Sequence, residues 1–210
     1  MNNQNNKILY GIGGMVIGIL LVSVFTPMFR GGYGMMNWRN NSVSDQRINS
    51  NAQVIGTIDK HFIEQMIPHH DGAIAMANLA LEEAKRPEIK TLAQAIVKAQ
   101  TEENQQMRAW YKDWFGKDVP AGSAAMGGMM SGGGMHMGSS QDIDVLRNAP
   151  DFDKEFIEQM IPHHQMAIMM ARMLQSGTDH PEMQQLAKNI ISSQSKEIQE
   201  MQGWYDSWYK

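Results

Sequence analysis

Between residues 57 and 115 apolar side chains recur three and four positions apart, the spacing of one face of an α-helix. One row runs Phe62, Met66, His69, Ala73, Met76, Ala80; a second runs Ala93, Ile96, Gln100, Glu103, Met107, Trp110, Trp114. These rows predict helices over about 57–84 and 87–115, with Pro87 in a first helical turn, where its absent N–H is not missed. So short a connection makes the two helices antiparallel neighbours.

The same hairpin then returns. Asp59-Lys60-His61-Phe62-Ile63-Glu64-Gln65-Met66-Ile67-Pro68-His69-His70 recurs as Asp153-Lys154-Glu155-Phe156-Ile157-Glu158-Gln159-Met160-Ile161-Pro162-His163-His164. Register holds to the last residue: Pro87-Glu88 matches Pro181-Glu182, and Met107, Trp110, Tyr111 and Trp114 match Met201, Trp204, Tyr205 and Trp208. This is a tandem duplication. Two such hairpins, over 57–115 and 151–210, predict an all-α fold, an antiparallel four-helix bundle. Segments of Gly, Met, Asn and Ser are expected to act as flexible linkers over 31–56 and 116–150.

Residues 1–30 hold an uncharged run, Ile8 to Phe25, behind the single cation Lys7. Its length is near the lower limit of the ~17–25 residues that span a bilayer. With no A-x-A-like cleavage site before Pro27, it reads as an uncleaved N-terminal membrane helix, a cleaved signal peptide being the alternative. Either reading places the remainder at the periplasmic or extracellular face.

The antiparallel register adds a chemical feature. With the turn centred near Arg86, Phe62 falls level with Trp110, Met66 near Met107, His69 level with Glu103, and Met76 level with Ile96. In copy two, Phe156 pairs with Trp204, Met160 with Met201, and His163 with Glu197. The polar members of these apolar rows, His69, Gln100 and Glu103 with their counterparts His163, Gln194 and Glu197, therefore share one level. Burying them is costly unless they bond to each other or to something bound. Just before each His-His pair, Pro68 and Pro162 stand inside the helical pattern, which predicts a kink there or a helix that starts only at the proline.

Composition narrows the chemistry. A 42% hydrophobic content and a net charge of -4 fit neither a disordered chain nor a nucleic-acid-binding one. The 210 residues contain no cysteine, which removes thiolate sites, but 20 methionines. Thioether and imidazole together suit Cu(I), and by extension Ag(I), better than hard cations, and a thioether needs no deprotonation. Met126, Met129, Met130 and the run Met135-His136-Met137 lie in Gly-rich sequence that buries little, so they read as a metal clamp. Met166, Met169, Met170 and Met173 fall at helical spacing and are expected in the core. His61 has no counterpart and is peripheral, His180 at the second turn is expected in solvent, and the tryptophan pairs are expected to close the bundle end.

No Ser-His-Asp placement, phosphate-binding glycine loop or H-E-x-x-H is present, and Glu64 precedes His69 by five positions, not the three of the di-iron Glu-x-x-His pattern. The chain therefore reads as a binding protein and not an enzyme. Two rivals stay open: a metal-dependent redox enzyme using His69, His163, Glu103 and Glu197, and a purely structural bundle.

At the repeated Met-Ile-Pro-His-His-x-x-Ala-Ile-x-Met-Ala the chain resembles the bacterial family of domains of unknown function catalogued as DUF305, over about 58–210. The resemblance implies a ferritin-like fold and a role in copper tolerance, as in a periplasmic copper-binding protein that the family resembles. It implies copper contacts at Met66, His69, His70, Met76 and Met107, then Met160, His163, His164, Met166, Met170 and Met201. Copy one departs where Asp71-Gly72 stands in place of Gln165-Met166, one sulfur fewer. The expected protein is an extracytoplasmic copper buffer or chaperone that binds Cu(I) or Ag(I), is tethered to a membrane, has no nucleic-acid partner, and exchanges metal with an unidentified protein.

Overall fold

Pro87 and Pro181 each occupy the first position of the helix they open, after a residue with extended backbone. Each follows a tight turn from a helix that carries a His-His pair. The computed structural model describes residues 44–120 and 139–210, with side chains from residue 58. Five helices follow in order: α1 (Ser44–Glu83), α2 (Pro87–Phe115), α3 (Ser140–Arg147), α4 (Phe152–Gly177) and α5 (Pro181–Tyr209). No strand occurs among the described residues. α1 with α2 and α4 with α5 form the two hairpins, α1 packs against α4, and α3 bridges α1 and α4. All of these belong to one compact unit, Asn41–Lys210.

Two local expectations change, and of the two readings of the prolines one is removed. α1 starts at Ser44, inside the stretch read from composition as a linker. α3 forms inside the second linker: Ser139 and Asp142 make a reciprocal capping box, and Leu146 is carried into the core. Glycine content averaged over that linker hides this short signal. Helices α1 and α4 both run unbroken through Pro68 and Pro162, so neither helix begins at its proline. Packing on both sides outweighs the lost hydrogen bond.

The predicted row on α1 is buried throughout, from Phe62 to Ala80. On α2 the buried row is Ile89, Leu92, Ala93, Ile96, Gln100, Asn104, Met107 and Tyr111. Past Gln100 it drifts off the expected Glu103, Trp110, Trp114 line, because a straight helix has 3.6 residues per turn and not 3.5. Trp110 and Trp114 are left half-buried on the flank, stacked on each other.

The core divides into two clusters that mirror the duplication. One joins Phe62, Ile63, Met66, Met107 and Tyr111 to Ala167, Ala171, Leu186 and Ile190. The other joins their counterparts Phe156, Ile157, Met160 and Met201 to Ala73, Ala77, Leu92 and Ile96. Each cluster is thus built from both hairpins, and the histidine level lies between them. The hairpins are also clasped at their turns. Asp153 accepts hydrogen bonds from the backbone N–H groups of Lys85 and Arg86, and the Arg86 guanidinium lies 4.0 Å over the Trp208 ring. In the equivalent clasp Asp59 pairs with His180, whose ring stacks on Trp114 at 4.3 Å. His180 is therefore engaged in the fold and not simply solvated, a contact made across the hairpins that the turn sequence alone does not reveal.

No helix among the described residues is long and apolar enough to cross a membrane. The run from Ile8 to Phe25, read above as a membrane helix, lies outside the described residues.

Candidate metal-binding site

The histidine pairs project from the interior of α1 and α4, on the faces by which these helices pack together. His69 and His163, equivalent residues of the two repeats, are in contact, with ring centroids 3.7 Å apart and planes tilted by 42°. The pseudo-twofold relation between the repeats passes between these two rings. His69, His70, His163 and His164 are all essentially inaccessible to solvent.

The second histidine of each pair carries the carboxylate. His70 Nε2 lies 2.8 Å from Glu103 Oε2, and His164 Nε2 lies 2.6 Å from Glu197 Oε2. This corrects the sequence register, which set His69 and His163 against those glutamates. The level is right and the partner is one residue further on. Consecutive helical residues point about 100° apart, so that single step turns His70 towards α2 and His69 towards the opposite hairpin. Tyr111 with Glu64 and Tyr205 with Glu158 repeat the same symmetry closer to the hairpin ends.

Burial leaves donor atoms unused. Neither ring nitrogen of His69 or His163 is in hydrogen-bond geometry with a partner, each ring only approaching the backbone of the other residue. Nδ1 of His70 and of His164 and Oε1 of Gln100 and of Gln194 have no partner. Unpaired buried polar atoms of this kind are rare in native proteins, and each calls for an explanation. Burial, reinforced by the neighbouring histidines, lowers the His69 pKa to about 3, and the same causes hold His163 well below its ordinary value. Both rings are neutral lone-pair donors at any physiological pH. In the outer pair, each glutamate holds one edge of the imidazole and leaves the other for a ligand, the carboxylate–histidine arrangement that supports bound metals.

The methionines assigned by resemblance are regrouped. Met66, Met107, Met76, Met160 and Met201 are fully buried. Met66 and Met107 share a cluster against which Met170 packs, while Met160 and Met201 share the other with Met76. Sulfurs of both repeats therefore flank the histidine level on each side. Met166 is half-buried. Met169 and Met173, expected in the core, are 44% and 68% exposed. Met126, Met129, Met130, Met135, His136 and Met137 lie outside the described residues. Among the described residues no three His, Asp or Glu side chains gather as one ligand set.

These features define a duplicated all-helical protein with paired histidines buried at the contact between its repeats. The chain belongs to the family described as Domain of unknown function (DUF305), which matches residues 59–205. Among solved structures, CopM in the Cu(I)-bound form is 47% identical, with a TM-score of 0.63 over 72% of this chain and 98% of that one. CopM in an Ag-bound form is 46% identical, with the same coverage and a TM-score of 0.63. A DUF305 fragment from Deinococcus radiodurans is 28% identical, with a TM-score of 0.59 over 70% of this chain and 93% of that one. A curated relative, the uncharacterized protein L153 of Acanthamoeba polyphaga mimivirus, is 46% identical over 54 residues, 26% of this chain and 36% of the viral protein's length.

Proposed function

We propose that this protein binds a soft monovalent metal ion, Cu(I) and by the same chemistry Ag(I), at the buried histidine level, and serves as an extracytoplasmic copper buffer or chaperone. The observation that carries this reading is the set of buried imidazole nitrogens without partners at His69, His70, His163 and His164. Within each pair the rings lie 6.4 and 6.3 Å apart, centroid to centroid. A metal–imidazole bond is about 2 Å, so one ion between two consecutive histidines matches that separation.

A site of neutral donors with no gathered carboxylates favours a soft, low-coordinate ion. Glu103 and Glu197, which a redox enzyme would need as ligands, are instead hydrogen-bonded to His70 and His164. We therefore take the role to be binding and not catalysis. The likeness to a protein solved with Cu(I), Cu(II) and silver bound supports copper as the cargo. The membrane tether through Ile8 to Phe25, the ferritin-like assignment of the bundle and capture by the methionines at 126–137 belong to the same proposal.

The test is an anaerobic Cu(I) titration of the full chain against a chromogenic chelator, repeated with H69A/H70A/H163A/H164A and with circular dichroism to check folding. The variant should lose its tightest ions. Unchanged stoichiometry and affinity in a folded variant would remove the histidine level from the function.

A further inference from the structure

Among the described residues three large hydrophobic side chains are exposed: Val145, Met169 and Met173. Single exposed apolar residues are ordinary. Here two of the three are methionines four residues apart on α4, the helix that carries His163 and His164. Residues three or four apart on a helix are surface neighbours. Met173 therefore adjoins Met169 and Met170, both adjoin Met166, and Met166 adjoins His163.

Exposure falls in step along this row. Met173 is 68% exposed and Met169 44%, Met170 and Met166 are half-buried, and His163 is fully buried. The row spans about 15 Å of helix axis. Met169 and Met173 also line a surface groove with Gln165, Arg172, Ser176 and, from α5, Ser195. Arg172 is exposed, so solvent and salt screen its charge from a cation held by sulfur.

The first repeat has no such row. The positions equivalent to Met166, Met169, Met170 and Met173 are Gly72, Ala75, Met76 and Leu79, and the only sulfur among them, Met76, is fully buried. The duplication has diverged at the very face that leads outward.

We propose that Met169 and Met173 form a surface thioether site for a soft monovalent cation, continued inward by Met166 and Met170 to His163, so that the second repeat is the loading face of the protein. The surface site stands on its own geometry, while the hand-over rests on the histidine reading above. Thioethers are neutral and weakly basic, so an ion passes between them without proton release.

The experiment uses the full chain labelled at the methionine methyl carbons, titrated with Ag(I) and followed by NMR, alongside the rate of Cu(I) transfer from a chromogenic chelate. The Met169 and Met173 methyl signals should shift on Ag(I) addition. M169L/M173L, which changes only exposed positions, should slow Cu(I) uptake by about tenfold while the ions held at equilibrium by the histidines stay the same. Methyl signals that do not move would overturn the surface site whatever the histidines do. Methyl shifts with an unchanged transfer rate in M169L/M173L would overturn the hand-over. Methyl shifts without any response of the His163 and His164 ring signals would overturn the hand-over through failure of the histidine reading, with the surface site standing.

Discussion

Asp59, at the start of the first repeat, pairs with His180 in the turn of the second, 121 residues along the chain. Its counterpart Asp153 instead bonds the backbone of the first turn, at Lys85 and Arg86. The two clasps are equivalent in position and differ in what they satisfy. Asp153→Ala strands two backbone N–H groups and should cost about 1–3 kcal/mol. Asp59→Ala strands no backbone group: the bond it removes is to the His180 ring, which is part-exposed and open to water, so it should cost less. Urea denaturation of the two variants checks the ordering, and equal losses would contradict it.

Acid should destabilise the metal-free protein through His69 and His163. Burial lowers His69 from 6.5 to about 3 in the folded chain and lowers His163 in the same direction. Below pH 6.5 the unfolded chain therefore takes up protons that the folded chain refuses. Stability from this source is complete above that pH and falls as pH drops towards 3, by about 1.4 kcal/mol per unit for each proton taken up. Denaturant midpoints measured between pH 7 and 4 should show that slope, and H69L/H163L should flatten it. A wild-type midpoint independent of pH would contradict the burial of neutral imidazoles.

The same depression changes how acid-resistant copper binding is read. Imidazoles this hard to protonate keep their lone pairs at pH 5, as thioethers do. Retention of Cu(I) at pH 5 is therefore expected of His69 and His163 as well as of sulfur. Histidine ring signals followed during Ag(I) titration at pH 5 should move as they do at pH 7, and their silence at pH 5 alone would assign acid-resistant binding to sulfur.

Glu103 and Glu197 orient His70 and His164. Replacing both with glutamine keeps shape and removes charge, and should weaken Cu(I) binding by about 10–100-fold, the usual effect of losing such a support. Competition against a chelator measures it. Full affinity in E103Q/E197Q would leave the carboxylates a packing role only.

Ag(I) at about a hundred times its dissociation constant should raise stability by about 2.7 kcal/mol per site, and removal by a chelator should reverse the gain. Thermal unfolding of the full chain with and without Ag(I) reads the shift. A stabilisation retained in H69A/H70A/H163A/H164A would place the ion elsewhere.

Much of the fold is legible in the residues themselves. Periodicity sets which face of each helix is apolar, Pro87 and Pro181 mark where helices open, and the recurrence of Asp59–His70 as Asp153–His164 establishes two equivalent hairpins. Local rules suffice because a helix's apolar face depends only on residues three and four apart. They also bring Met66 to Met107, Met160 to Met201, and histidine to glutamate at one level.

Tertiary packing decides the rest. Whether His69 or His70 meets Glu103 turns on one residue of register, about 100° of helix rotation, which is set by how the hairpins dock and not by either hairpin alone. The contact between His69 and His163, the pairing of Asp59 with His180, and the exposure of Met169 and Met173 all depend on which faces the second hairpin covers. A methionine at helical spacing looks the same in the sequence on either side of that boundary. Only the summed packing of both repeats determines which sulfurs are enclosed and which face water.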